Sequence, residues 1–308
     1  MAIPYTPAGV PNTLEWTAAS SRGDYLVQVA WPLRWGQDRG QPEDESEPVH
    51  TLYLVDGNAY FFTAVDISRR LEFTNNTRTI VVGIGYPPGE YVYDFRRGPD
   101  LTPPSSENHD YEVQLGRDGR PRADLSFGGA YDFLEWIQID VMSYVEGTLF
   151  PGIDYNGHGN RKALFGHSYG GIFALSTMFT RPGLFDAYIA ASPVIWWNRD
   201  FLVRQLEAAF AARRKPVNPP LSLVLTWGGT GEQDLVRRHG ESDEEFAERR
   251  ENAENERMRD SATAMADRLG KCPSLGRIWT REFEGEDHGS AAVTGLQYGM
   301  TQFVLSMA

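Results

Sequence analysis

The sequence is poor in cysteine: Cys272 is its only one, so no internal disulfide can form. A single thiol fits a reducing compartment, and the expected location is cytoplasmic. No cluster of Cys and His has zinc-site spacing. Basic residues are also scarce, 29 against 42 acidic ones, which leaves a net charge of −13. That balance argues against a nucleic-acid backbone as partner and favours neutral or cationic ligands. No run approaches the ~18 apolar residues that a bilayer span needs. The N-terminal MAIPYTPAGVPNTLEW lacks a basic stretch followed by an apolar one, so no signal peptide is expected. Internal repeats and a Pro/Gly/Ser linker are lacking too, so residues 1–308 are read as a single domain.

What is present is 308 residues, 41% of them hydrophobic, enough for a large core. Residues 24–31 (DYLVQVAW) alternate apolar and polar side chains, as an antiparallel strand does. Residues 50–55 (HTLYLV) and 79–84 (TIVVGI) are short apolar runs, with helical character over 61–71 between them. Further strands are expected at 162–165, 188–191, 221–227 and 277–283. Between 129 and 149, Phe133, Ile137, Val141, Val145 and Leu149 recur every four residues and predict a helix. Further helices are expected at 171–180 and 291–307. Residues 37–48 read as an exposed hairpin loop and 98–123 as a long ordered excursion. The charge-dense stretch 240–259 has its apolar positions at Phe246, Ala253, Met258, Ala262, Met265 and Leu269, which fits a helix with one narrow buried stripe. The series predicts an α/β fold with a mostly parallel sheet covered by helices on both faces.

Gly166-His167-Ser168-Tyr169-Gly170 matches the G-x-S-x-G elbow, in which a serine sits on a sharp strand-to-helix turn. A strand signal precedes it and a helix signal follows. Serine is a weak nucleophile at neutral pH and needs a base beside it. Of six histidines, His167 lies within the elbow and should point away from the serine, His50 opens a strand at its far end, and His109 and His158 precede the nucleophile in polar loops. His239 sits in a charged surface segment. His288 follows the last strand, where the base of this arrangement comes, and is the expected base. The acid should follow the strand at 221–227. Glu232 is the choice, Asp234 being read as a helix cap. Asp287 is adjacent to His288, and neighbours in sequence rarely orient each other's side chains. The oxyanion needs two backbone donors, Tyr169 N–H and one from Gly57 or Asn58 in the loop after residues 50–55.

The segments LYLVDGNAYF (52–61), YDFRRGPDLTPP (93–104), FGHSYGG (165–171), ASPVIWWN (191–198) and GEDHGS (285–290) resemble an esterase group of α/β-hydrolases. They are most similar to its siderophore esterases, the bacterial enterobactin and salmochelin esterases and the fungal hydrolases of fusarinine-type siderophores. The resemblance implies an α/β-hydrolase fold and a serine esterase working through Ser168 and His288 without metal or cofactor. It implies that Arg96 and Arg97 lie near the substrate, unless one pairs with Asp94 or Asp100, and that Trp196 and Trp197 stand at the pocket wall, one of them in the core. In the family the strand before the acid ends in a VG-x-x-E turn, whereas here Trp227-Gly228-Gly229-Thr230-Gly231-Glu232 is longer. The implied substrate is a small-molecule ester, a siderophore that carries iron. The charge of −13 favours a neutral or cationic hydroxamate over a ferric tris-catecholate. A second reading is a general carboxylesterase or acyl-thioesterase for small acyl groups.

Overall fold

The computed structural model describes residues 9–40, 48–105, 120–122, 124–157, 159–230, 236–237, 239–251 and 255–306. Eight strands and nine helices are found among them: β1 (Thr13–Ala18), β2 (Tyr25–Ala30), β3 (Val49–Val55), α1 (Gly57–Asn75), β4 (Arg78–Gly85), α2 (Arg97–Leu101), α3 (Ala130–Trp136), β5 (Arg161–His167), α4 (Tyr169–Thr180), β6 (Ala187–Ala191), α5 (Trp197–Phe201), α6 (Ala208–Ala211), β7 (Leu221–Gly228), α7 (Asp243–Glu251), α8 (Asn255–Leu269), β8 (Leu275–Phe283) and α9 (Ala291–Leu305). The strands form one sheet in the order β1-β2-β4-β3-β5-β6-β7-β8. β2 pairs antiparallel with both β1 and β4, and every other pair is parallel.

The expected strands are found within one or two residues, and β1 is an addition. Its Leu14, Trp16 and Ala18 alternate with polar residues, a pattern short enough to pass unread in a polar N-terminal segment. Strand 3 illustrates how the core is built. Its side chains alternate between faces, so Tyr53 and Val55 join one apolar cluster while Leu52 and Leu54 join the other. Both clusters are closed by helices. α1 and α9 cover one face through Phe61, Ala64, Leu296 and Met300. Residues of α3, α4 and α8, such as Phe133, Ile172, Met258 and Met265, cover the other. Strands buried on both sides must read as continuous apolar runs, as β3 and β4 do.

One expected helix differs in detail. The 129–149 helix is found as α3 followed by two wide-turn stretches, Ile137–Met142 and Val145–Leu149. The stripe expected along 240–269 is found at its last four positions. Met258, Ala262, Met265 and Leu269 are buried on α8, whereas Phe246 belongs to α7. The 4-3-4 spacing of these four residues lies within α8. Ala253 lies outside the described residues.

Helix α9 presses hard on the sheet. A Cβ on Gly299 would collide with Ile189 of β6, and one on Gly295 would stand 2.5 Å from Oγ1 of Thr226 on β7. Glycine is what allows the axis to approach this closely. Among the described residues no helix is long and apolar enough to cross a membrane.

Candidate active site

β5 ends at His167 and α4 begins at Tyr169, leaving Ser168 alone at the corner with φ 58° and ψ −114°. A positive φ is strained for a residue with a Cβ, and the surroundings hold it in place. The Ser168 N–H donates to Ala191 O on β6 (3.0 Å), and its carbonyl accepts from Ile172 N (3.1 Å). A Cβ on Gly166 would overlap Gly170 O, and one on Gly171 would come within 2.9 Å of Pro193. The two glycines therefore make the corner sterically possible.

His288 sits on the short loop between β8 and α9. That loop is tied to the end of β7: Gly229 N donates to Phe283 O (2.8 Å) and Thr230 N to Glu286 O (3.1 Å). A Cβ on Gly228 would collide with Glu286 O and stand 2.7 Å from Asp287 O. Asp287 shapes the turn, its Oδ1 accepting from the N–H groups of Gly289 (2.9 Å) and Ser290 (2.8 Å). The His288 ring is half-buried, and its centre lies 4.7 Å from that of His167, the residue before the serine. Its Nδ1 is buried with no hydrogen-bond partner among the described residues. Burial, followed by the positive charge of Arg97, holds the His288 pKa below 6.5, while Asp287 opposes them. Glu232, Asp234, His109 and His158 lie outside the described residues. His239 is exposed, and His50 is buried at the start of β3 against Phe303.

On the other side of the serine is the turn after β3. Asp56 adopts a left-handed conformation (φ 57°, ψ 44°) and α1 starts at Gly57. The first N–H groups of α1 and of α4 have no carbonyl within their own helix to receive them. They belong to Gly57 and Asn58 in one case and to Tyr169 in the other. A Cβ on Gly57 would stand 3.1 Å from the backbone of Gly83 and Ile84. The Asn58 side chain is used structurally: Nδ2 donates to Tyr86 O, and Oδ1 accepts from Tyr86 N, each at 2.7 Å.

The family resemblance implies that Arg97 lies near the substrate. Its Nε and Nη2 donate to the two carboxylate oxygens of Asp56, both at 2.9 Å, and Nη2 also reaches His167 O at 3.3 Å. Its guanidinium lies over the rings of Tyr93 and Tyr169. Burial opposes the Arg97 charge, but Asp56 outweighs it and the pKa is raised. Arg97 thus ties the turn before α1 to the elbow. Arg96 donates from Nη2 to Asp24 O (2.9 Å), lies 3.5 Å from Asp94 through Nε, and covers Tyr25 and Tyr86. Asp100 is held instead by Arg22 (2.7 Å) and the Tyr25 hydroxyl (2.8 Å).

Trp197 is buried near Phe127, whereas Trp196 is half-buried beneath Arg257. A cavity of about 190 Å³ opens beside Asn58, walled by Tyr86, Tyr91, Tyr93 and Phe95. Glu90, Asp94 and Arg122 complete its charged lining, and Arg122 is already paired with Asp124 at 2.7 Å. Among the described residues no group of His, Cys, Asp and Glu could hold a metal ion.

One feature of the site has no local signature in the sequence. The buried His167 ring links two elements: Nε2 lies 2.8 Å from His288 O, and Nδ1 lies 3.0 Å from the Tyr60 hydroxyl. Strand alternation indicates that this ring turns away from the serine, but not that it meets the His288 loop.

A match to the family described as "Putative esterase" extends over residues 23–269. The chain is 38% identical to the siderophore enterobactin esterase of Emericella nidulans, over 96% of this chain and 95% of that one. It is 35% identical to the siderophore triacetylfusarinine C esterase of Aspergillus fumigatus, over 97% and 95%. The solved siderophore hydrolase EstA from Aspergillus nidulans superposes with a TM-score of 0.84 at 36% identity, covering 100% of this chain and 99% of the other. Sheet order, elbow and sequence agree, and the chain belongs to this family as an esterase of the α/β-hydrolase fold.

Proposed function

We propose that this protein is a serine esterase that opens the ester bonds of a ferric hydroxamate siderophore of fusarinine type. The observation that carries the chemistry is the meeting of the strained Ser168 corner and the His288 loop, whose rings at His167 and His288 lie 4.7 Å apart. Ser168 Oγ attacks the ester carbonyl as His288 takes its proton. The N–H groups of Tyr169 and of Gly57 or Asn58 hold the oxyanion. His288 passes the proton to the leaving alkoxide, and water then hydrolyses the acyl-serine by the same route. Glu232 serves as the acid that holds the His288 tautomer.

The relatives named for enterobactin and for triacetylfusarinine C do not distinguish a catecholate from a hydroxamate. Charge favours the hydroxamate. A ferric tris-catecholate carries about three negative charges and would meet a chain of −13. The nearby cations are neutralised locally, Arg97 by Asp56 and Arg122 by Asp124, while Glu90 and Asp94 line the adjoining cavity. Arg96, Trp196 and the aromatic wall at Tyr91 and Tyr93 would face the bulk of the cargo. The enzyme would act in the cytoplasm after uptake, where opening the carrier weakens its hold on iron.

Hydrolysis of a ferric hydroxamate triester and of a ferric catecholate trilactone, measured side by side, tests the reading. A catecholate preference overturns the substrate class. Unchanged hydrolysis by Ser168→Ala overturns the nucleophile.

A further inference from the structure

The His167 ring has two polar neighbours, and they determine which nitrogen carries the proton. His288 O can only accept, so Nε2 must donate to it across the 2.8 Å contact. In the neutral ring Nδ1 is then an acceptor, and the Tyr60 hydroxyl must donate to it across 3.0 Å. Tyr60 oxygen in turn receives the hydrogen of the Tyr93 hydroxyl at 2.6 Å. The direction of every bond follows from the last acceptor in the chain. The ring is neutral at working pH: burial, with the adjacent His288, pushes its pKa down to about 3. Burial, reinforced by Tyr93, pushes the Tyr60 phenol up and keeps it a donor.

The geometry points to His167 as a positioning residue for the catalytic base, its Nε2–H tautomer locked by Tyr60 and Tyr93 so that it pins the backbone carbonyl of His288. The inference rests on the proposed roles of Ser168 and His288. It gives His167 a task separate from the elbow turn: the strand carrying the nucleophile and the loop carrying the base are linked by one directional bond. Because Tyr93 is exposed and walls the cavity, the chain of bonds begins at the substrate side and ends at the base.

Amide side chains separate the two nitrogens. The amide nitrogen of Gln matches the reach of Nε2, and that of Asn the reach of Nδ1. Labelling by a fluorophosphonate, followed by mass spectrometry of the adduct, reads the nucleophile–base pair without any siderophore. Wild type should be labelled at Ser168. His167→Asn should be labelled about 100-fold more slowly, the scale of a misplacement of about 1 Å. His167→Gln should recover to within about tenfold of wild type, and ester hydrolysis should show the same losses in kcat with KM nearly constant. Equal rates for wild type and His167→Asn, or no recovery in His167→Gln, would overturn the inference while leaving the serine reading intact. A wild-type protein labelled elsewhere, or unlabelled, overturns both. Where the Asn variant is unfolded, nitrogen NMR of the histidine rings in folded wild type and Tyr60→Phe decides. A protonated Nε2 at His167 in wild type, with loss of the single tautomer in Tyr60→Phe, supports the inference. A protonated Nδ1 in wild type rules it out.

Discussion

Arg97 grips Asp56 with two parallel hydrogen bonds of 2.9 Å, joining the segment after β4 to the turn that opens α1. Side-chain exposures of 16% and 1% make this a largely buried pair. Removing one partner strands the other charge, so Arg97→Met should destabilise the fold by about 3–5 kcal/mol. The double variant Asp56→Asn/Arg97→Met should lose less than the single one. Urea unfolding of the four proteins in the cycle measures the difference, and additive losses would show that the pair is not coupled. Arg97→Lys should fall between, since an ammonium group does not supply the fork.

The same guanidinium acts on His288. Burial and Arg97 both hold the His288 pKa below 6.5. A lowered pKa keeps the imidazole neutral, and able to accept a proton, at more acidic pH. With His288 as base, the acid limb of kcat/KM should therefore have its midpoint below 6.5. Replacing Arg97 by Met removes a positive charge and should move that midpoint upward. A downward move would contradict the assignment of the limb to His288.

Acid stability should depend on His50. Its pKa is lowered to about 4 by burial, aided by Arg161. Between pH 6.5 and 4 the unfolded chain takes up this proton and the folded chain does not, so stability falls as pH falls through that window. One such group amounts to about 3 kcal/mol across it. His167 acts in the same direction down to about 3. In His50→Leu the loss of stability from pH 6.5 to 4 should shrink and not disappear, as read by thermal unfolding at stepped pH.

Gly228→Ala should damage catalysis from outside the nucleophile. Its Cβ would meet the carbonyls of Glu286 and Asp287, the backbone that carries His288. Neither is the far end of a flexible side chain, so the loop must shift. A fall in kcat of about 10- to 100-fold with KM little changed is expected in steady-state kinetics.

How much of this was legible in the sequence depends on distance along the chain. Strands read from apolar runs are found nearly in place, because a strand buried on both faces has a local signature. The elbow was legible because its glycines are dictated by a steric problem five residues long. The expected partnership of Arg96 or Arg97 with Asp94 or Asp100 holds for Arg96 and Asp94. Arg97 instead reaches Asp56 across 41 residues, and His167 reaches Tyr60 across 107, separations at which no periodicity carries information.

His288 is carried on a fixed bearing. Behind it α9 is seated against β6 and β7 through Gly295 and Gly299, and beside it the loop is clamped to the end of β7. Such a support leaves His288, the proposed base, little freedom to retreat before a bulky ester substrate. Accommodation of substrate size would then fall on the segment that walls the cavity beside Asn58, where Tyr91, Val92 and Tyr93 stand exposed. Changes in ester preference can accumulate at Tyr91 and Val92, positions outside the chain of bonds that runs from Tyr93 through Tyr60 to His167.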